Sequence, residues 1–141
     1  NTVTLAVEVD NSNKSDVYPQ MADFTFYGGI YRNVSLISVP KTRFDIEYYA
    51  GSGVTVTSKI DGDDAIIDIT AYIKNPQESD MIMVEVADDD YEDIGAVVAP
   101  ANNITKLSLK IDNVHLWNGL EGPFLYCFNV KLVDIMKCLT M

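Results

Sequence analysis

Hydrophobic and polar residues alternate along most of this chain with a period of two, the repeat of a β-strand that buries one face. The first run covers residues 2–10 and places its apolar side chains on one face: Val3, Leu5, Val7 and Val9. A second, shorter run passes through Val34 and Leu36 and ends at Pro40, which has no backbone N–H for a strand ladder. Both runs are therefore predicted to be strands.

Between residues 41 and 134 the alternation recurs in short runs that turn-forming residues separate. About seven strands are predicted here, with these apolar positions: Phe44, Ile46 and Tyr48; Val54, Val56 and Ile60; Ala65, Ile67, Ile69, Ala71 and Ile73; Ile82, Val84 and Val86; Ile94 to Val98; Ile104, Leu107, Leu109 and Ile111; Tyr126, Phe128, Val130 and Leu132. The irregular step from Ile104 to Leu107 predicts a β-bulge. No stretch has a convincing helical period, so the sequence predicts an all-β, antiparallel sandwich of the immunoglobulin type.

Composition and charge narrow the class of protein. The 141 residues, 48% of them hydrophobic, are enough for one domain or for one domain with part of another. A net charge of −11 excludes nucleic acid as an expected partner, because such a surface repels phosphate. No run of about 18 apolar residues and no signal peptide are visible, so no membrane partner and a cytoplasmic location are expected. The chain begins inside a strand-like pattern, which predicts that it is a piece of a longer protein.

Residue types that often form sites have simpler explanations here. Cys127 and Cys138 are predicted to be reduced thiols, because two cysteines do not make a secreted disulfide framework. His115 has no cysteine or second histidine with which to bind a metal and is predicted to be structural. The acidic run at 88–93 lacks the glycine and distal glutamate of a calcium loop, and like the run at 61–64 it is predicted to be a solvated turn. No metal or cofactor is predicted in this chain.

Two segments carry a more specific pattern. The first, residues 23–35, reads DFTFYGGIYRNVS and contains a glycine pair beside aromatic and basic side chains: Gly28, Gly29, Tyr31 and Arg32. Paired glycines beside bulky residues mark a tight turn or a close approach. The second, residues 116–126, reads LWNGLEGPFLY. Within it Trp117 is predicted to be a core side chain, Pro123 to fix the backbone at the entrance of the last strand, and Tyr126 to begin that strand.

These two segments, separated by the length of one sandwich, resemble glycoside hydrolase family 2, which includes β-galactosidases, β-glucuronidases and β-mannosidases. The resemblance covers the chain to about residue 134. It implies that residues 1–40 are the incomplete C-terminal strands of the family's sugar-binding jelly-roll domain. Residues 41–141 would be its immunoglobulin-like β-sandwich domain. The tail from Ile135 to Met141 departs from the family's pattern, so the last strand of the sandwich is expected to be incomplete.

The resemblance also implies what this chain lacks. Members of the family hydrolyse glycosides with two carboxylates about 5–5.5 Å apart, which are glutamates on a TIM barrel of about 250 residues. This chain has neither the barrel pattern nor the family's Asn-Glu motif, so no residue in it is predicted to be catalytic. The parent protein is expected to be a β-galactosidase-like hydrolase, with a monovalent or divalent cation. This piece would be a scaffold between the sugar-binding domain and the barrel.

Asp23 is the one residue for which the resemblance implies a role in the whole enzyme. In the β-galactosidase members an aspartate at this point reaches the mouth of the active site, where it helps to bind a monovalent cation and the sugar. An ionised carboxylate suits both tasks, because it accepts hydrogen bonds and is a hard oxygen ligand. A solvated loop aspartate is the other interpretation, and the sequence leaves both open.

Other classes of function remain for the chain. It is alternatively a free-standing immunoglobulin-like module that binds carbohydrate or another protein, or a structural spacer in a surface protein. Exposed tyrosines and Trp117 would serve sugar binding, although the alternation predicts that most aromatic residues pack in the core. The expected partners are carbohydrate, through the parent enzyme, and a second copy of the chain, through residues 1–39. Unpaired strand edges in that segment would recruit the second copy.

Overall fold

The alternation after residue 41 produces seven strands, the number that the sequence predicts. The computed structural model describes residues 2–12, 14–16 and 27–138. The strands are β1 (Arg43–Phe44), β2 (Val54–Asp61), β3 (Asp64–Lys74), β4 (Asp80–Ala87), β5 (Asp93–Pro100), β6 (Ile104–Ile111) and β7 (Cys127–Asp134). A 3-10 helix over Tyr48–Ala50 and a short helix α1 (Ile135–Cys138) are also present. Among the described residues, neither helix is long and apolar enough to cross a membrane.

The strands form two antiparallel sheets. In the first sheet β3 is central, with β6 along one edge and β2 along the other. β1 lies on the same edge of β3 as β2. There the N–H of Tyr72 in β3 donates to the carbonyl of Gly53, directly before β2, at 2.8 Å. The carbonyl of Tyr72 accepts the N–H of Asp45, directly after β1, at 2.8 Å. The second sheet has the order β5, β4, β7. The predicted antiparallel, immunoglobulin-like sandwich is confirmed.

The core lies between the two central strands, β3 and β4. Their inward side chains are almost fully buried: Ala65, Ile67, Ile69, Ala71, Ile73, Ile82, Val84 and Val86. Each large side chain buried in this way contributes about 1.5–3 kcal/mol to stability. The core is aliphatic, so the expectation that most aromatic residues pack in it is wrong for the described part of the chain. Tyr31, Tyr49 and Tyr91, for example, are each at least 80% exposed.

The sandwich is closed along one side only. β5 packs against β6 where the two sheets meet, whereas β2 and β7 do not approach each other comparably. Among the described strands, β2 pairs with β3 alone and β7 with β4 alone, so each leaves one edge unpaired. The interior of the sandwich therefore reaches the solvent between β2 and β7.

The chain divides into two units, Asn1–Ser38 and Val39–Met141. The strands predicted over residues 2–10 and at Val34 and Leu36 are not formed, because the described residues of the first unit contain no strand. A strand needs a neighbouring strand to share its backbone hydrogen bonds, and the described residues of the first unit supply no such neighbour. The apolar side chains of residues 2–10 are exposed instead. The assignment of this segment to a jelly-roll domain stays a prediction.

The strand predicted through Phe44, Ile46 and Tyr48 ends already at Phe44. A turn begins at the next residue, where the carbonyl of Asp45 accepts the N–H of Tyr48 at 3.1 Å. The following Tyr49 has φ of 50°, in the left-handed region that no strand contains. The ring of Tyr48 stacks on Tyr72 with centroids 3.8 Å apart, so the turn is held to the face of β3.

The bulge predicted between Ile104 and Leu107 is not present, since β6 pairs with β3 without interruption. The inward position is taken by Thr105, which is buried, while Ile104 faces solvent. The Thr105 hydroxyl accepts the N–H of Asn102 at 2.8 Å, and this hydrogen bond offsets the cost of burying a polar group. A register shift occurs elsewhere, between Val86 and Ala87 in the β4–β5 pair.

Candidate functional site

The residues predicted to form a site fall in both units. Asp23 lies outside the described residues, and its role stays a prediction. The first unit contains the glycine–tyrosine segment with Gly28, Gly29, Tyr31 and Arg32. The second unit contains the loop between β6 and β7 with Trp117, Pro123 and Tyr126.

The glycine pair has the tight geometry that its sequence predicts. A Cβ on Gly28 would lie 2.7 Å from Nδ2 of Asn11, so the asparagine side chain would have to move to accept it. Gly29 has φ of 95°, a conformation that favours glycine. The guanidinium carbon of Arg32 lies 5.4 Å from the ring centroid of Tyr31, within cation–π range. The segment therefore presents an aromatic ring and a cation to the solvent.

The loop between β6 and β7 folds back on itself in a short hairpin. Asn118 and Gly122 form a bridge in which the N–H of Asn118 donates to the carbonyl of Gly122 at 2.8 Å. Gly119 lies at the tip with φ of 57°, a left-handed conformation that glycine adopts at low cost. The Asn-Gly-Leu-Glu-Gly spacer of the sequence motif is thus the turn that joins Trp117 to Pro123.

Three aromatic rings fix the base of this loop. The ring of His115 stacks on that of Phe124 with centroids 4.3 Å apart, and Phe124 meets Tyr126 edge-on at 5.0 Å. The hydroxyl of Tyr126 accepts the backbone N–H of His115 at 2.9 Å. Pro123 directly precedes Phe124 and leads the loop toward β7, which begins at Cys127. His115 therefore has the structural role that its isolation in the sequence predicts.

Trp117 is not a core side chain, and the prediction that it is one is wrong. Its side chain is 64% exposed. Its neighbours in the loop are exposed as well: Leu116, Leu120 and Leu125. Trp117 lines the same cavity as Val56 and Ile60 of β2, on the open side of the sandwich. It is exposed because none of the described strands covers that side.

Lys110 lies between two carboxylates near the turn from β2 to β3. Its Nζ is 2.5 Å from Oδ1 of Asp112 and 2.6 Å from Oδ2 of Asp64. Hydrogen bonds to Asp112 and then to Asp64 raise the pKa of Lys110. The hydrogen bond from Lys110 is the main cause that lowers the pKa of Asp64, and the hydrogen bond from the backbone N–H of Asn113 is the second. These contacts join the turn to the end of β6, so their role is structural.

Both acidic runs form turns, as predicted. Gly62 has φ of 65° between β2 and β3. Between β4 and β5, Oδ1 of Asp88 accepts the backbone N–H groups of Asp90 at 3.0 Å and Glu92 at 2.8 Å. The described part of the chain contains no group of histidine, cysteine and acidic side chains arranged to hold a metal ion.

A cavity of about 520 Å³ on the outer face of the second sheet was not predicted. Its lining includes Met83, Glu85, Tyr91, Asp93, Cys127 and Asn129. Oε2 of Glu85 is held by Nζ of Lys131 at 2.6 Å and by Nδ2 of Asn129 at 3.2 Å. Cys127 is an exposed free thiol. The signal for this cavity was available in the outward positions of the strand predicted at 82–86, where Met83 and Glu85 alternate with buried residues.

An aliphatic core, a loop fixed by aromatic rings and carboxylates held by lysines characterise this β-sandwich. The protein-family model described as glycosyl hydrolases family 2 matches residues 51–139 of the chain. The chain belongs to this family, and the resemblance seen in its sequence motifs is confirmed.

Two curated relatives show how much of a family member this chain represents. It is 27% identical over 137 residues to a β-glucuronidase of Bacteroides fragilis. It is 30% identical over 135 residues to a β-galactosidase of Thermoanaerobacter pseudethanolicus. Each alignment covers 92% of this chain but only 20% and 17% of the respective relative. The chain therefore spans about a fifth or less of the length of the curated relatives that it matches.

Solved structures of the family contain the same fold. The crystal structure of an FMN-binding β-glucuronidase from Facaelibacterium prausnitzii L2-6 matches with a TM-score of 0.78 and 37% identity, over 88% of this chain and 19% of that one. A Bacteroides uniformis β-glucuronidase matches with a TM-score of 0.70 and 25% identity, over 89% of this chain and 16% of that one. The chain is thus similar to one portion of much longer glycosidases.

Proposed function

We propose that this chain is a non-catalytic part of a family 2 glycoside hydrolase and acts there as a scaffold between a sugar-binding domain and a catalytic barrel. The observation that carries the proposal is the family match over residues 51–139, combined with a β-sandwich as the fold of the described residues from Val39 onward. The seven strands follow one another without the intervening helices of a TIM barrel. The chemistry of hydrolysis would therefore reside outside this chain.

The internal contacts of the module fit a scaffold. The core between β3 and β4 is closely packed, and the carboxylates of Asp64 and Glu85 are held by lysines. A catalytic acid or base must instead be placed to exchange a proton with a bound substrate. A rigid sandwich with paired surface charges can hold neighbouring domains at a fixed spacing without taking part in the reaction.

For the whole protein we propose a β-glycoside as substrate. Asp23 falls where the β-galactosidase members carry an aspartate, and the Thermoanaerobacter pseudethanolicus relative is a β-galactosidase. A β-glucuronide is the second candidate, because the Bacteroides fragilis relative and the Facaelibacterium prausnitzii structure are both β-glucuronidases. Carbohydrate would thus be bound by the parent enzyme as its substrate.

Domain replacement tests the scaffold proposal. In the Thermoanaerobacter pseudethanolicus β-galactosidase, the segment aligned with this chain is exchanged for the chain itself, and hydrolysis of a chromogenic β-galactoside is measured. We expect the chimera to fold and to retain measurable activity, whereas the same enzyme with the segment deleted should be inactive. A folded chimera that is as inactive as the deletion would contradict the scaffold proposal. Saturable binding of galactose or glucuronate by the chain alone would favour a free-standing binding module instead.

The same chimera tests Asp23, for which we propose the cation- and sugar-binding role at the rim of the active site. Asp23→Asn is expected to lower kcat/KM about tenfold, which corresponds to the loss of about 1.4 kcal/mol of transition-state binding. The matched control is Asp16→Asn, which removes a carboxylate from an exposed position of the same unit and should leave kcat/KM unchanged. Equal activities of the two variants would identify Asp23 as a solvated loop residue.

A further inference from the structure

The open side of the sandwich exposes side chains that belong to its interior. Val56 pairs with Ile69 and Ile60 with Ala65 across β2 and β3, so both residues of β2 point to the inner face of the sheet. Ile69 and Ala65 are each 1% exposed, but Val56 is 45% and Ile60 is 47% exposed. The inner face of β2 is therefore uncovered from Val56 to Ile60, whereas Val54 packs against the core.

A continuous apolar cleft occupies this side. Its central part has a volume of about 370 Å³ and lies between β2 and β7, and we call it the edge cleft, defined by Val54, Val56, Phe128 and Val130. The cleft continues past Phe44 and Leu132 at one end and toward Trp117 and Leu125 at the other. The edge of β7 that pairs with no described strand runs beside it. The cleft has the length and the backbone edge that one added strand requires.

The chain contains a segment with the matching pattern. Residues 2–10 read TVTLAVEVD and present four apolar side chains on one face, whose exposure ranges from 48% at Val9 to 90% at Val3. Nine residues in strand conformation extend about 30 Å, which is enough to follow the whole of β7. These residues form no strand with any described part of their own unit. The segment and the cleft therefore each lack a neighbouring strand with an apolar face.

One acidic side chain of the segment can meet a basic side chain beside the cleft. The charged residues of the segment are Glu8 and Asp10, and Asp10 is already paired with Lys14 at 2.8 Å. Lys131 lies on the outer face of β7 and is 42% exposed beside Glu85. A strand added along β7 with its apolar face toward the cleft would turn Glu8 to the outer face. There the ammonium group of Lys131, which already donates to Glu85, has further N–H groups that can donate to a second carboxylate.

We propose that the edge cleft binds residues 2–10 of a second copy of this chain, which add to β7 as a further strand. Each copy offers one segment and one cleft, so two copies exchange strands reciprocally and both clefts are filled in a closed, two-fold dimer. The valines and the leucine of the incoming segment cover Val56 and Ile60, and its backbone pairs with the free edge of β7. The cleft is thus an interaction surface for an extended chain with alternating apolar residues.

The test measures the mass of the full chain by analytical ultracentrifugation over a range of concentrations. We expect a dimer. Leu5→Asp places a charge on the apolar face of the segment, and Val56→Lys places one in the edge cleft. Each should weaken the dimer at least tenfold. The matched controls are Thr4→Asp and Thr57→Lys, which place the same charges on the opposite faces of the same segments and should change the dissociation constant less than twofold. Circular dichroism checks that all four variants keep the sandwich.

A synthetic peptide with the sequence of residues 2–10 adds a second readout. It should dissociate the dimer, whereas a peptide in which Leu5 and Val7 are replaced by aspartate should not. A chain that is monomeric at all concentrations would overturn the proposal, whether or not the amides of residues 2–10 are protected from hydrogen exchange. A dimer that both Leu5→Asp and Val56→Lys leave intact would also overturn it, since another surface would then join the copies.

Discussion

At the scale of single residues, Trp117 and Ile69 show how solvent exposure determines the contribution of a side chain to the free energy of unfolding. Trp117→Ala is expected to lower the free energy of unfolding by less than about 1 kcal/mol, because the indole is 64% exposed. Ile69→Ala, which empties a fully buried site in β3, is expected to cost about 2–5 kcal/mol. Urea titrations of the two variants make the comparison. Equal losses would show that Trp117 packs in the core after all.

A second residue-scale prediction concerns pH and Asp64. The hydrogen bond from Lys110, and after it the backbone N–H of Asn113, lowers the pKa of Asp64 in the folded state. A lowered folded pKa means that the ionised carboxylate stabilises the fold above the unfolded pKa, and that this contribution is lost as the pH falls through the folded pKa. Asp64→Asn should therefore destabilise the chain at neutral pH and have progressively less effect below about pH 3.9.

The free energy of unfolding, measured by urea titration from neutral to acid pH, checks this dependence on Asp64. The control is Asp61→Asn, an exposed aspartate of the same turn, whose effect should be smaller at neutral pH. A difference between wild type and Asp64→Asn that stays constant, or grows, toward acid pH would contradict the sign of the linkage.

At the scale of elements, the entry into β2 depends on one glycine. Gly53 has φ of 73°, and a Cβ there would lie 2.7 Å from the backbone nitrogen of Asp45, which cannot move without disturbing β1. Gly119 has φ of 57° but open space where its Cβ would be. Gly119→Ala is expected to cost about 1–2 kcal/mol for the left-handed backbone, and Gly53→Ala roughly 2 kcal/mol more because of the overlap. Thermal or urea unfolding of the two variants should show this order. The reverse order would contradict the geometry at Gly53.

Most elements could be predicted from the sequence, and the misses have local physical causes. The strands from β2 onward follow the alternation, and it is clearest where one face is buried, as in β3 and β4. The bulge was misplaced because buried Thr105 has a polar side chain at an inward position, and the hydrogen bond that allows its burial cannot be seen in a sequence. Residues 2–10 have a strand pattern, but a pattern does not supply a pairing partner.

The candidate site was less predictable than the strands. The turn at Asn118–Gly122 was not predicted, and the exposure of Trp117 depends on the unfilled side between β2 and β7. That opening is a property of how two sheets meet, and alternation within single strands carries no information on it. The cavity beside Glu85 and Cys127 depends likewise on the outer face of three assembled strands.

At the scale of the whole molecule, the chain contains a family 2 sandwich, and we propose that the chemistry of hydrolysis resides outside it. Its curated relatives are about five or more times longer, since the matched share of the Bacteroides fragilis and Thermoanaerobacter pseudethanolicus enzymes is 20% and 17%. The core between β3 and β4 keeps the two sheets together in this short chain. The open side between β2 and β7 is where we propose that another strand binds.

The most direct test of this account is an activity measurement on the purified chain with chromogenic β-galactoside, β-glucuronide and β-mannoside substrates. The chain is expected to release no chromophore above a protein-free blank, because the two carboxylates that hydrolysis needs at about 5–5.5 Å from each other are assigned to a barrel outside it. The matched control is the Thermoanaerobacter pseudethanolicus β-galactosidase, assayed in parallel on the β-galactoside. Turnover that co-purifies with the chain and persists after repurification from a host strain lacking its own glycosidases would contradict the account.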